Sequence, residues 1–397
     1  MSLPPCPKLH VPSCQSAQGF GFAQPPDHPP MNRFTHARPS VAVSATAPPD
    51  WEAARKALSA GLYHSTDYAN ILSARGNLPL YFHHRSADGT IDALCLGWLT
   101  DQWRSWPKSA VYRNLHTQAQ PLVAATCRHS REAFAKAILS HARAIGVSGV
   151  VLGSEGSAQS AQGLETEGLT PKRRLEYVLD LRRDQESLLG AMQARRRTQL
   201  RKLSRENSLT MVEDPGPEAL RALMVFQASS RDRRQARGER YSVGSIDSYR
   251  QIWRHYVQSG FARAFFIEAD GERLCGVLLH CLDSQAYYTL AGSSSAGFAR
   301  GAPVYLVWEA MRLLKDQGFT SLNLGGTGLS ARDPEDLAHG LYRFKANFGA
   351  EQVECTTWQT QQMALPRAWA AFLTGRRRSP GRSKAPRADH APDSRPS

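Results

Sequence analysis

The seven cysteines of this 397-residue chain are scattered from Cys6 to Cys355 without a C-x-x-C pair or the histidine-paired spacing of a zinc finger. Such dispersal argues against both a disulfide framework and a zinc site, and points to reduced thiols in a cytoplasmic protein. No uninterrupted apolar run approaches the ~18 residues of a membrane span, and prolines and polar groups stand where a signal peptide would need an apolar core. Nothing between Arg205 and Arg263 sustains a heptad repeat, so a long coiled arm is not expected there. The histidines form no constellation with serine or aspartate, and no metal is expected.

What is plentiful is positive charge, with a formal net value of +14. The segment from Arg376 to Ser397 has seven Lys/Arg against two Asp, and Gln193 to Asn207 has six basic residues against one acidic. The excess is one stripe and one tail on a mildly basic body, a pattern that suits phosphates, nucleic acid or an anionic surface. Residues 1–49 are rich in Pro, Ser, Ala and Gln, and they and the tail at 376–397 are expected to be disordered. Met31 is a second candidate start.

From Trp51 the pattern changes to alternating α and β signals. Helices are expected over Trp51 to Leu62 and Tyr68 to Ala74, and a hairpin over Leu78 to Phe82 and Ile91 to Leu99 around Ala87-Asp88-Gly89. An amphipathic helix runs from Arg131 to Ile145, and a short apolar strand from Gly149 to Gly153. Leu175 to Leu181 reads as a strand, Gln185 to Glu206 as one helix, Leu220 to Ser229 as another, and Arg231 to Tyr241 as a charged loop. After a helix over Ser245 to Gln258 come strands from Arg263, Leu274 and Ala286. A helix opened by Gly301-Ala302-Pro303 follows, then a strand from Ser321 ending in Asn323-Leu324-Gly325-Gly326, and a long loop reaching Lys345. Gln352 to Gln359 reads as a last strand and Pro366 to Leu373 as a last helix.

The two halves match. Each has a hairpin around Ala-Asp-Gly, a helix ending in glycine (Gly146, Gly318) and a strand running to glycine, so the fold class is α/β with two copies of one unit. The expected division is a first unit at 50–174 and a second at 175–375. Only the second copy has the Gly301-Ala302-Pro303 opening and the Phe344-Lys345 closing, which puts chemistry in that half.

The strand Tyr177-Val178-Leu179-Asp180-Leu181 leading into a basic helix, the Asn323-Leu324-Gly325-Gly326 strand end and Phe344-Lys345-x-x-Phe348-Gly349 together resemble the Fem-type peptidoglycan-bridge aminoacyltransferases. They are equally similar to other acyltransferases of the GNAT superfamily. The resemblance spans roughly Trp51 to Leu365. It implies two tandem GNAT-like domains that move an acyl or aminoacyl group from an activated carrier, acyl-coenzyme A or aminoacyl-tRNA, to an amine, with no tightly bound cofactor. The acceptor it implies is polar, with a cell-envelope precursor among the candidates. Two departures stand out. The superfamily's coenzyme A loop is present only as Phe298-Ala299-Arg300-Gly301-Ala302, with Phe298 where Gln or Arg is expected, and the long helical arm of some Fem enzymes is missing.

By that resemblance Lys345 puts a cation at the reacting carbonyl and Phe344 packs the floor of the site. Gly301, Ala302, Asn323, Gly325 and Gly326 are the donor-side candidates, because helix-start amides and glycines let a backbone approach an anionic or acyl group. Arg231 and Arg233 are candidates for the acceptor, and Arg195, Arg196 and Arg201 for phosphates. Of Tyr287 and Tyr288, one should face the core and the other the cleft. The alternatives are an acyl-coenzyme A-dependent N-acyltransferase for a small metabolite, and a non-enzymatic nucleic-acid-binding protein using the stripe and the tail, which also offers a peripheral membrane contact.

Overall fold

Twelve consecutive residues of one strand, Leu169–Asp180, join everything that precedes them to everything that follows. The computed structural model describes residues 41–101, 113–147, 149–239 and 242–360. All of these lie in the second of the chain's two units, Pro39–Ser397, the first being Met1–Arg38. Expectations for the disordered tail, the Pro366 to Leu373 helix and most of the first 49 residues fall outside the described residues.

In chain order the first half holds β1 (Ala42–Ser44), α1 (Trp51–Ala57), α2 (Thr66–Ala74), β2 (Leu78–Arg85), β3 (Ile91–Asp101), β4 (Arg113–Thr117), β5 (Leu122–Val123), α3 (Arg131–Ala144) and β6 (Gly149–Leu152). The joining strand is β7 (Leu169–Asp180). The second half holds α4 (Gln185–Ala191), α5 (Ala194–Glu206), β8 (Thr210–Glu213), α6 (Pro217–Gln235), α7 (Ile246–Ile252), β9 (Ala262–Ala269), β10 (Glu272–Leu282), β11 (Gln285–Ser293), α8 (Ser295–Ala299), α9 (Ala302–Asp316), β12 (Ser321–Gly328), α10 (His339–Ala346) and β13 (Glu351–Thr360).

The strands form one mixed sheet in the order β1-β2-β3-β4-β6-β13-β7-β12-β11-β10-β9-β8, with β5 on β3. Both halves repeat one motif. In each, a hairpin leads to a strand that pairs in parallel, after a crossover helix, with the strand that follows it: β4 with β6 across α3, and β11 with β12 across α9. The last strands are exchanged, since β7 pairs with β12 and β13 pairs with β6 as well as β7. The proposed division at 174/175 is therefore crossed by β7, which starts six residues earlier than Leu175.

Three further expectations are corrected. Residues 42–44 are not disordered; they pair with Tyr81, Phe82 and His83 on β2. The helix expected over Gln185 to Glu206 breaks at Met192 and Gln193, where Met192 takes an extended conformation and the Gln193 N–H donates to Asn347 O at 3.2 Å. The charged loop expected from Arg231 is helix as far as Gln235: α6 buries its own Leu220, Leu223, Phe226 and Gln227 and runs on past them, where Arg233 donates to Ser229, Ser230 and Ser293.

Packing explains the rest. Along α9, Val304, Leu306, Val307, Met311 and Leu314 are buried, and each such side chain contributes roughly 1.5–3 kcal/mol by leaving water. Serine or aspartate side chains cap α2, α3, α4, α7 and α8 by accepting from the first-turn amides. Trp358 of β13 is buried in the core of the first half, where its Nε1 donates to Ala161 O at 2.8 Å. Trp358→Ala should thus destabilise the protein by about 3–5 kcal/mol, read as a lower denaturation midpoint in urea. A loss below ~1 kcal/mol would show that the strand exchange contributes little.

Candidate functional site

β11 and β12 pair over three residues only, Gln285–Tyr287 with Ser321–Asn323. Beyond that point the pairing of β12 with β7 shifts register between Asn323 and Gly326. The two glycines in this irregular stretch have distinct reasons to lack a side chain. Gly325 has a φ of +72°, and a Cβ there would lie 3.2 Å from Tyr288 O. At Gly326 a Cβ would lie 2.8 Å from Arg174 Nε and Leu175 O.

Into this gap α10 sends Lys345. The lysine is 6% exposed, and its Nζ donates to Gly326 O at 3.1 Å and lies 5.8 Å from the centre of the Tyr177 ring. The long loop expected before it holds this helix: packing of Tyr342, Phe344 and Phe348 against the second-half core gives His339–Ala346 its regular form. Burial, and after it the Arg174 charge, brings the Lys345 ammonium down to about 7, against the pull of Glu176.

Behind the lysine stands Glu176 of β7, 1% exposed. Its Oε1 accepts from Tyr287 OH at 2.7 Å and from Arg174 Nη2, and its Oε2 accepts from Asn323 Nδ2 at 2.7 Å and Gly156 N at 3.0 Å. Asn323 is held in turn by its Oδ1, which accepts from Gly325 N at 2.8 Å. Arg174 also donates to Tyr287 OH at 3.0 Å and reaches Glu155 at 3.4 Å, and Gln118 donates to the other oxygen of Glu155. Burial would lower the Arg174 guanidinium, but Tyr287, Glu176 and Glu155 outweigh it and hold it charged. Burial, with Glu176 and Glu155 beside it, raises the Tyr287 hydroxyl well above its ordinary value.

Three cavities meet around this cluster. The largest, about 860 Å³, is lined by Tyr63, Tyr68, Trp98, Tyr256, Tyr287 and Lys345 among others, and Glu155 is its only carboxylate among the described residues. Within it His280 stacks on Tyr256 at 5.0 Å, and burial pushes its imidazole down to about 3. A second cavity of about 620 Å³ shares Arg234, Tyr288, Ala291 and Leu341 with the first and is floored by Phe298, Leu306 and Phe344. A third, about 440 Å³, shares Phe298, Pro303, Gly340 and Phe344 with the second and is edged by Arg195, Arg196 and Gly301. The three form a chain from the basic face of α5, past the start of α9, to Lys345.

Gly301 has a φ of +75°, and a Cβ there would lie 2.5 Å from Gln199 Nε2, so glycine is required where α9 meets α5. Its N–H closes a turn onto Phe298 O at 3.2 Å. Ala302 is buried and lines none of the three cavities among the described residues. Arg196 lies over the rings of Phe344 and Phe348 at 5.6 and 5.0 Å, and Arg195 is exposed at the third cavity. Asn323 is a brace for Glu176 and not a cavity wall. Tyr287 and Tyr288 both line the largest cavity, the first buried and the second partly so.

The arginines after Phe226 divide differently from expectation. Arg233 lines the second cavity, yet its guanidinium is taken by Ser229, Ser230 and Ser293 at 2.8–3.0 Å and by the Phe298 ring. Arg231 pairs with Asp232 at 2.8 Å, and neither it nor Arg201 is among the described residues that line the three cavities. Glu176, Arg174 and Glu155 were not anticipated. The signal for Arg174 and Glu176 is the pair of opposite charges two residues apart on one face of β7, in a strand otherwise apolar toward its end; Glu155, in the loop after β6, has no such local mark.

Residues 191–346 match the family model described as Acetyltransferase (GNAT) domain. No curated protein matches the chain. Among solved structures, FemX is similar over 83% of this chain and 98% of its own, at 14% identity and a TM-score of 0.61. The C-terminal domain of a putative lysylphosphatidylglycerol synthetase from Agrobacterium fabrum aligns over 81% of this chain and 95% of its own, at 17% identity and a TM-score of 0.46. A tandem GNAT protein from the clavulanic acid biosynthesis pathway aligns over 81% and 98%, at 14% identity and a TM-score of 0.47. The chain has a Fem-like GNAT fold and carries a transferase domain in its second half.

A buried lysine lowered to about 7 has a stability signature. Between about 7 and its unfolded value near 10.5 the native state binds fewer protons than the unfolded state, so stability rises with pH over that window on this group's account. The cost of the buried ammonium is fully present below pH 7. Lys345→Met should therefore gain stability relative to wild type at pH 6 by an amount that shrinks toward pH 10, the difference between the two being a few kcal/mol. A variant whose stability difference from wild type is the same at both pH values would show that Lys345 titrates normally.

Proposed function

We propose that this GNAT-domain chain of Fem-like fold transfers an acyl or aminoacyl group from an activated carrier to an amine on a polar acceptor. The observation that carries the reading is the Lys345 ammonium, desolvated in the opening between β11 and β12 where the cavities meet. A fixed cation in a site of low dielectric stabilises a developing oxyanion far better than one in water, because its field is unscreened and already oriented.

In this reading the donor lies along the second and third cavities, its phosphates toward Arg195 and Arg196 and the amides near Gly301, its carbonyl oxygen at Lys345. Phe344 walls the carbonyl's approach. Gly325 and Gly326 leave the backbone low enough for the carbonyl to reach the ammonium. The acceptor occupies the aromatic cavity, its ammonium at Glu155. Glu155 takes a proton, the free amine attacks the carbonyl carbon, and the tetrahedral oxyanion forms against Lys345. On collapse the bond to the carrier breaks, and the carrier's sulfur or oxygen leaves with a proton. The GNAT domain favours acyl-coenzyme A as the first donor to supply, with aminoacyl-tRNA second, since the exposed Arg201, Lys202 and Arg205 extend the basic face along α5. A cell-envelope precursor is the acceptor class that the fold suggests. No helix among the described residues is long and apolar enough to cross a membrane.

If Lys345 acts as the cation, the rate should fall as pH rises through about 7, the value at which it loses its proton. Lys345→Met should lower kcat by roughly 10²–10³ and abolish that descending limb. A rate that climbs through pH 7 in wild type and flattens in the variant would make Lys345 a base and overturn its assignment as oxyanion partner. Glu155→Gln should raise KM for the amine and lower kcat. An unchanged acceptor profile would remove Glu155 from the scheme. Single-turnover assays with acyl-coenzyme A and with charged tRNA, each scored for acyl appearing on an added amine, separate the donors. No transfer from either would reject the reading.

A further inference from the structure

Away from the three cavities, the first half brings together residues that are far apart in sequence. His84 near the end of β2 and Asp92 at the start of β3 are both buried, and His84 Nδ1 lies 2.6 Å from Asp92 Oδ1. A register shift between His84 and Arg85 distorts the hairpin at this point. The turn after β5 is tied to Asp92, whose carbonyl accepts from Ala124 N at 2.7 Å, and Cys127 N then donates to Ala124 O at 3.0 Å. That turn carries the half-buried Cys127 over the pair. One imidazole nitrogen, one carboxylate oxygen and the thiol sulfur all lie within 4.8 Å of one another.

We propose that His84, Asp92 and Cys127 bind a divalent transition-metal ion of the zinc class, with the fourth position open to water. Two considerations carry it. The donor set of imidazole, thiolate and carboxylate is that of a borderline-soft cation and not of magnesium or calcium, which take oxygen ligands. Separately, Asp92 is a buried carboxylate, and among the described residues its ion-pair partner is His84 alone, with no lysine or arginine. A buried carboxylate needs compensation by a proton, an imidazolium or a metal. A cation between the three groups would satisfy Asp92 and the thiolate together.

The His129 ring lies edge-on to His84 at 4.8 Å and its Nε2 accepts from Arg128 Nε at 3.1 Å; it walls the site and stands outside the group of three. Ligands of a tetrahedral zinc stand ~3.5 Å apart, so small side-chain rotations that widen the His84 to Asp92 contact and draw Cys127 inward assemble the site. Binding forms a sulfur–metal bond; the thiol proton goes to solvent, and the proton between His84 Nδ1 and Asp92 Oδ1 is lost to solvent or moves to His84 Nε2, without change of oxidation state. The bound ion would fasten the turn at 124–130 to the β2–β3 hairpin. None of the three residues lines the cavities of the transfer site, so the proposal stands apart from the proposed activity.

The test uses the full-length chain stripped of metal with a chelator. Cobalt(II) should bind at one equivalent with a thiolate-to-cobalt charge-transfer band, displaced by stoichiometric zinc(II). In Cys127→Ser the band should vanish and affinity fall at least tenfold, a loss no smaller than that seen for outer-sphere partners. Independently of any variant, zinc(II) should slow alkylation of Cys127 in the wild-type chain at least tenfold, read by peptide mass spectrometry. No band in wild type, a band that persists in Cys127→Ser, or alkylation of Cys127 unchanged by zinc would each overturn the proposal. In that case His84 and Asp92 are an ordinary buried hydrogen-bonded pair.

Discussion

A carboxylate cannot be taken out of water without partners, and Glu176 sets the terms for everything around it. Its two oxygens accept from Arg174, Tyr287, Asn323 and Gly156, which lie on β7, β11, β12 and the turn after β6. Removing one donor leaves the remaining charge under-compensated, and leaving such a group unsatisfied costs more than a typical hydrogen bond contributes. The four elements are therefore fixed relative to one another by a single charge. Gly156 belongs to the first half and Asn323 to the second, so the same interaction holds the halves in register.

That constraint also explains the electrostatics of Lys345. The lysine stands near the pair Arg174 and Glu176, whose charges oppose each other, with Arg234 adding to the side of Arg174. Desolvation then dominates, with Arg174 next, and the ammonium comes down to about 7. Burial, with the pair beside it, thus brings the lysine to a value at which its charge can change near neutral pH.

Much of this architecture was legible in the sequence because it rests on periodicity and punctuation. The α9 stripe from Val304 to Leu314, the glycines at Gly146 and Gly318, and the repeated Ala-Asp-Gly turns gave two copies of one unit in the right order. Phe344-Lys345 marked the lysine. What stayed hidden depends on contacts between distant segments. Nothing local in Gln193 says that its N–H will find Asn347, so one helix was expected where α4 and α5 stand. The charges after Phe226 suggested a loop, yet α6 continues to Gln235, with Arg233 bonded to Ser229, Ser230 and the distant Ser293. Glu155, 19 residues before Arg174, and His84, 43 before Cys127, are brought together only by strand pairing.

The exchange of β7 and β13 alters how the repeat should be understood. In a simple tandem each copy closes its own sheet, and the second, the better equipped, would hold a complete site. Here each copy lends its last strand to the junction, so Arg174 and Glu176 come at the end of the first copy, yet Arg174 lines the large cavity and Glu176 bonds β11 and β12 of the second. The large cavity has walls from both: Tyr63, Tyr68, Gln118 and Glu155 before β7, Tyr287, Gly325 and Lys345 after it. Duplication followed by strand exchange thus yields one composite cavity in place of two half-built ones. The second copy supplies the cation and the helix start, and the first supplies the aromatic wall and the carboxylate. Neither copy alone encloses Lys345, because the strand that carries its charge partners belongs to both.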